Sequence, residues 1–187
     1  MICTNRHALP DLIAIVSVLL SLSLSLVVVM VTVEYCNSVL AGLPAKQIGR
    51  LQRVQNSAVR LVLKKRKKNE SATIITPLLN ELHWLPVKFC CEYKIATLAY
   101  RHFDGTLPSY LSASVCTYQT SRTLRLSNEK LLKIPKRNLK SAADHSFSFN
   151  APIVWNSLPA SLRNLPTLSD FKAQLKTVLF QQAFPQI

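Results

Sequence analysis

The chain of 187 residues carries a formal charge of +14, is 49% apolar and has only three glycines. Its length fits one modest domain with an appendage and excludes a complete polymerase. Gly42, Gly49 and Gly105 lie too far apart for a glycine-rich phosphate loop, which removes one large class of nucleotide enzymes.

The apolar residues are unevenly spread along the chain. Residues 12–33 hold 17 of them and no charge, broken only by Ser17, Ser21, Ser23, Ser25 and Thr32. This run of 22 matches the ~20 needed to cross a bilayer core and exceeds the roughly 7–15 apolar residues of a cleaved signal peptide. Residues 1–34 therefore read as a hydrophobic leader with a candidate transmembrane helix at 12–33. Arg6 and Asp11 flank one end, and Lys46, Arg50 and Arg53 the other, so the positive-inside rule expects a cytoplasmic body. The stretch "SLSLSLVVV" is low in complexity and lacks aromatic interfacial anchors, so a buried helix or a translated non-coding stretch stands beside the transmembrane reading.

Residues 35–187 form the body, with 22 Lys and Arg against 7 Asp and Glu, a net +15 that suits an anionic partner. Leu-Pro recurs at 43–44, 85–86, 107–108, 158–159 and 165–166, and the spacings of 42, 22, 51 and 7 exclude a solenoid repeat. Proline at the first helical position has its φ already set and lacks only an amide that would be unpaired there. These pairs are therefore expected to open helices.

The first helix is expected from Pro44 to Leu63. Ile48, Leu51, Val54, Ala58, Leu61 and Val62 fall on one side at the helical period, and Lys46, Arg50, Arg53, Arg60 and Lys64 on the other. No acidic residue occurs between Glu34 and Glu70, so the i,i+4 ion pairs of an ordinary solvated face are missing and phosphate contact is favoured. Five consecutive cations close the helix, Lys64, Lys65, Arg66, Lys67 and Lys68, a run that suits nucleic acid, nuclear import or a solvated loop.

In "TIITPLLNELHWLPV", Thr76 is expected to cap a short helix begun by Pro77, with Trp84 as a core anchor rather than a base-stacking platform. Residues 86–103 are apolar almost all round and predict a buried helix, ended by Asp104-Gly105 and followed by a short helix from Pro108. "SRTLRLSNEKLLKIPKR" alternates around Ser127-Asn128, which predicts a hairpin. Its surroundings hold seven cations, Arg122, Arg125, Lys130, Lys133, Lys136, Arg137 and Lys140, against Glu129 alone, a second candidate phosphate surface. Thr167 with Asp170 three residues on resembles a capping box, and Leu168, Phe171, Leu175, Val178 and Leu179 form the stripe of a last helix. The expected fold is mainly α: a small helical bundle with a short β-hairpin element, preceded by one long hydrophobic helix.

Cys3, Cys36, Cys90, Cys91 and Cys116 are odd in number and uneven in spacing, which argues for reduced thiols that behave as small buried apolar residues. No paired Cys or His spacing suits zinc. Asp144, His145 and Ser146 are sequence neighbours in a surface-loop context, and adjacency does not supply triad geometry. No metal, cofactor or small-molecule substrate is expected.

The ordered segments "EYCNSVLAGLP", "IGRLQRVQNSAVRLV", "ITPLLNELHWLPV", "GTLPSYL", "SRTLRLS" and "FSFNAPIVWNSLPASLRNLPTLSDFKAQLKTVLF" together resemble the C-terminal region of reverse transcriptases of non-LTR retrotransposons, of the jockey, CR1 and LINE-2 kind. The resemblance spans about residues 34–181, with Glu34 where that family usually has Asp. It implies the thumb and C-terminal extension that hold template and primer. The hydrophobic run before Glu34 does not resemble the family's preceding sequence, so the joint reads as the edge of a truncated element copy. Two-metal polymerisation needs clustered aspartates, whereas the body has only Asp104, Asp144 and Asp170 and no Asp-Asp pair. The favoured expectation is a non-catalytic remnant, nuclear or cytoplasmic, binding RNA or DNA through phosphates. The alternatives are a single-pass membrane protein whose basic body meets anionic lipid, and a pseudogene product without function.

Overall fold

The computed structural model describes residues 40, 42–64, 75–119, 130–136 and 146–185, and within them the chain is mainly helical. Seven helices follow in order: α1 Ala45–Val62, α2 Ile75–Glu81, α3 Val87–Phe103, α4 Ser109–Ser112, α5 Phe147–Asn156, α6 Ala160–Arg163 and α7 Leu168–Ala183. The candidate span at 12–33 lies outside the described residues. Among those that are described, no helix is long and apolar enough to cross a membrane.

Four of the five Leu-Pro pairs precede helices, which begin one residue later than expected. Pro44, Pro86, Pro108 and Pro159 each occupy the cap residue, with φ between −52° and −57° and ψ between 140° and 149°. Their carbonyls accept the first helical bonds, from Ile48, Cys90, Ser112 and Arg163 at 3.0–3.2 Å. The fixed φ of proline is compatible with an extended ψ, so the ring terminates the incoming loop and its carbonyl begins the ladder. Thr76 and Pro77 are corrected as well. They lie inside α2, where Pro77 falls in the first turn and its missing amide leaves no helical bond unmade. Thr167 does cap α7, its hydroxyl accepting from the Asp170 amide at 3.1 Å while donating to the Asp170 carboxylate at 2.6 Å.

Left-handed residues end three helices. Gly105, at φ 70°, follows α3, and the Thr106 amide reaches back to the Arg101 carbonyl at 3.0 Å. His83, at φ 52°, does the same for α2, with Trp84 donating to the Leu79 carbonyl at 2.9 Å. Lys64, at φ 51°, closes α1.

α3 is the central element, packed against α5, α7 and α1. Ala96 and Ala99 let neighbouring helices approach, and Ile95 and Tyr100 fill the space around them. Trp155 of α5 and Phe171 of α7 are fully buried. Tyr100 stacks on Phe171 with centroids 4.6 Å apart, and Phe103 on Trp155 at 5.2 Å. The Tyr100 hydroxyl is satisfied by the Leu165 carbonyl at 2.9 Å. A second cluster joins the end of α1 to α2 and the end of α7 through Val59, Ile75, Leu78, Leu79 and Phe184, with Trp84 packed against it.

The β element is smaller than expected. Among the described residues no strand forms, and Thr117 and Leu132 make an isolated antiparallel bridge. The turn at Ser127-Asn128 lies outside the described residues. The bridge is flanked by Tyr118 N–H to Leu131 carbonyl at 2.9 Å and Lys133 N–H to Cys116 carbonyl at 2.8 Å. A further rung would need an amide at position 135, and Pro135 has none.

Candidate nucleic-acid interface

The basic face of α1 exists because the opposite face is anchored by amides as well as apolar contacts. The buried side runs through Ile48, Leu51, Gln55, Ala58 and Val59, whereas Leu61 and Val62 are 43% and 53% exposed. The expected stripe is corrected by this rotation, since Leu61 and Val62 lie at the helix end beyond the reach of α3. Gln55 is buried and its Nε2 donates to the Leu85 carbonyl at 2.8 Å. The Gln52 carbonyl oxygen accepts from the Val87 amide, the first of α3, at 2.9 Å, and its Nε2 reaches Gln55 and Asn56. Gln52 thereby supplies the side-chain cap that Pro86 lacks.

With that side fixed, Lys46, Arg50 and Arg53 are exposed, Arg53 donating to the Gly49 carbonyl at 3.3 Å. Arg60 is half-buried rather than presented, and Lys64 is exposed at the helix end. Lys65, Arg66, Lys67 and Lys68 lie outside the described residues.

The second basic group rests on a different support. Lys130, Lys133 and Lys136 are exposed, while Arg122, Arg125, Arg137 and Lys140 lie outside the described residues. Residues 130–133 are pinned from α5 and α6. The Lys130 carbonyl accepts from the Trp155 indole at 2.7 Å and the Arg163 guanidinium at 3.1 Å, and Arg163 also donates to the Leu158 carbonyl. Asn156 bonds both backbone groups of Leu132. Buried Arg163 is thus a structural cation, engaged by backbone oxygens instead of facing solvent.

Catalytic alternatives are sparse among the described residues. No group of three His, Cys, Asp or Glu side chains gathers to hold a metal. His102 Nδ1 lies 3.0 Å from the Ser112 hydroxyl, but its other nitrogen faces the Thr117 hydroxyl at 3.5 Å, where a triad would carry a carboxylate. A groove of about 450 Å³ between α3, α5 and α7 is lined mainly by Phe89, Val154, Leu158, Leu175 and Leu179. Its one carboxylate, Glu92, pairs with Lys88 at 3.8 Å, and burial pushes it above the usual carboxylate range while Lys88 partly offsets that rise. Among the described cysteines, Cys91 is buried, Cys90 half-buried and Cys116 exposed, so the last departs from the expected buried role, while Cys3 and Cys36 lie outside the described residues. The triad candidates Asp144 and His145 lie outside the described residues.

The sequence reading missed Gln52, Gln55, Asn156 and Arg163 as the residues that aim both basic groups. Gln52 and Gln55 had a signal: polar residues at helical spacing inside a stripe otherwise lined by Ile48, Leu51 and Ala58. No protein-family model, curated protein or solved structure matches the chain.

Proposed function

We propose that the body is a non-catalytic module that grips RNA or DNA by its phosphates, a remnant of the thumb and C-terminal extension of a non-LTR reverse transcriptase. The observation that carries this reading is the division of α1. Lys46, Arg50 and Arg53 are exposed on a helix with no acidic residue, while Gln52 and Gln55 lock the other face to the start of α3. Cations fixed in this way attract a polyanion without prior rearrangement, and the absence of i,i+4 partners leaves them available to phosphate. Lys130, Lys133 and Lys136 add a second such group on a pinned segment. The lineage rests on the ordered segments between residues 34 and 181, and the non-catalytic character on the lack of an Asp-Asp pair.

The test is titration of the full chain, kept in solution with mild detergent, against labelled RNA and DNA at increasing KCl. Binding that weakens linearly in log affinity against log salt is expected. Absence of binding to either nucleic acid at low ionic strength, with retention on vesicles of anionic lipid, would overturn it in favour of a membrane-facing body.

A further inference from the structure

Tyr118 is 48% exposed although it sits beside a rigid part of the fold. Side chains alternate along paired segments, so the register set by Thr117 and Leu132 places Cys116, Tyr118, Leu131 and Lys133 on one face. Leu132, on the other face, is buried at 1% exposure, which turns the Tyr118 and Lys133 face outward. Tyr118 and Lys133 are diagonal neighbours across the bridge, and such pairs stand roughly 7–8 Å apart, close enough for long side chains to act together. Lys130 and Lys136 flank Lys133, and residues 130–136 contain no acid.

We propose that this face is a stacking platform for unpaired nucleobases, so that the second basic group takes single-stranded nucleic acid in preference to duplex. The inference rests on the phosphate-binding reading above and adds the form of nucleic acid. An exposed phenol ring sharing a face with Lys133 on a pinned backbone matches one repeating unit of an unpaired strand: the ring faces the base and Lys133 faces the phosphate. In a duplex the base faces are already stacked on each other and unavailable. Charge selects this occupant over an apolar peptide, since Lys133 shares the face of the ring and the short segment 130–136 that carries it also bears Lys130 and Lys136 and no carboxylate. Preorganisation strengthens the case. The lysine-bearing segment is held on one edge by Cys116 and Tyr118 and on the other by Trp155, Asn156 and Arg163, so little ordering remains to be done when a strand binds. Base stacking is tolerant of sequence, so the platform discriminates unpaired from paired strands without reading bases.

The experiment is fluorescence anisotropy of the full chain in mild detergent with a labelled oligouridine and a duplex of equal length, for wild type, Tyr118→Ala, Tyr118→Phe and Lys133→Gln. Tyr118→Ala is expected to weaken the single strand by about five- to a hundredfold and to leave the duplex unchanged, with Tyr118→Phe close to wild type. Lys133→Gln is expected to weaken both, because phosphates are common to both. Equal losses on both ligands for Tyr118→Ala, no loss at all, or a Phe variant as damaged as the Ala variant would each overturn the platform while leaving phosphate binding in place. A wild-type chain that binds neither ligand removes the underlying function reading instead, and the two failures are thereby distinguished. Matching thermal melts of the variants exclude unfolding as the cause, since an exposed ring contributes little to the core.

Discussion

Asn156 and Leu132 share two hydrogen bonds: the Leu132 amide donates to Asn156 Oδ1 at 3.0 Å, and Asn156 Nδ2 donates to the Leu132 carbonyl at 2.8 Å. The carboxamide acts as a one-residue strand edge, on the side of Leu132 opposite Thr117. The buried Leu132 side chain and the exposed lysines at 130, 133 and 136 take their positions from this contact. Asn156→Ala should cost about 1–3 kcal/mol, because it strands two backbone groups that have no other hydrogen-bond partner among the described residues. Asn156→Asp keeps the shape and one acceptor but sets a carboxylate against the Leu132 carbonyl, and it should be at least as destabilising. Urea unfolding checks both: the midpoint should fall at constant slope, and an unchanged midpoint for Asn156→Ala would contradict the clamp.

Two glycines should respond to alanine with opposite signs. Gly49 lies inside α1 with no atom within 4 Å of an added Cβ, so the substitution removes unfolded-state freedom at no steric cost. Gly49→Ala should stabilise by about 0.5–1 kcal/mol. Gly105 also has open space, but its φ is 70°, and a Cβ there meets its own backbone. Gly105→Ala should destabilise by about 1–2 kcal/mol. A Gly105→Ala variant that melts at or above the wild-type temperature would show that the end of α3 is not left-handed in solution, and a Gly49→Ala variant that melts lower would contradict the open space inside α1.

Much of the helical framework is legible in the sequence because it is local. Thr167 with Asp170, the Leu-Pro pairs and Gly105 act within a few residues of themselves, and so the ends of α3, α4 and α7 can be read directly. α5 was not legible. Pro152 sits inside it, removing the amide that would reach Ser148, and tertiary burial of Phe149, Ala151 and Trp155, the last against Phe103 and Phe171, holds a helix there. The site follows the same division. The charges of α1 and of residues 130–136 are plain in the sequence, but their aim depends on contacts 24 to 35 residues apart, such as Gln52 to Val87 and Asn156 to Leu132. Arg60 shows the consequence: helical spacing alone puts it with Arg53, and the tertiary rotation of α1 half-buries it.

The thiols should separate by pH. Burial pushes the Cys91 thiol up to about 11 from the ordinary 9.0, with the nearby Glu92 charge adding to the rise and a backbone hydrogen bond partly offsetting it. A folded-state value above the unfolded one means that the fold favours the protonated thiol. This contribution is complete below pH 9 and is lost as pH rises from 9 towards 11. Iodoacetamide at pH 8 should therefore modify exposed Cys116 readily and Cys91 only after unfolding. Peptide mapping after timed labelling distinguishes them, and equal rates at both positions would contradict the burial of Cys91.

The basic face of α1 gives the sharpest prediction, because charge and fold are carried by different residues. Lys46, Arg50 and Arg53 are exposed and make no ion pair within α1, which contains no acid. Replacing all three by Gln should leave stability within about 0.5 kcal/mol, the range of surface substitutions. If each engages one phosphate, the slope of log affinity against log salt should flatten by up to about 2.7 for duplex DNA, or about 2.1 for single strands. Base preference should not change, since phosphate contacts position the ligand without specifying it. Gln52→Ala supplies the converse. It retains every cation but removes the acceptor for the Val87 amide, so stability should fall by about 1–2 kcal/mol while the salt slope of the folded protein stays near wild type. A triple Gln variant that binds with the wild-type slope would leave Lys46, Arg50 and Arg53 as a solvated surface and move the phosphate contacts elsewhere on the chain.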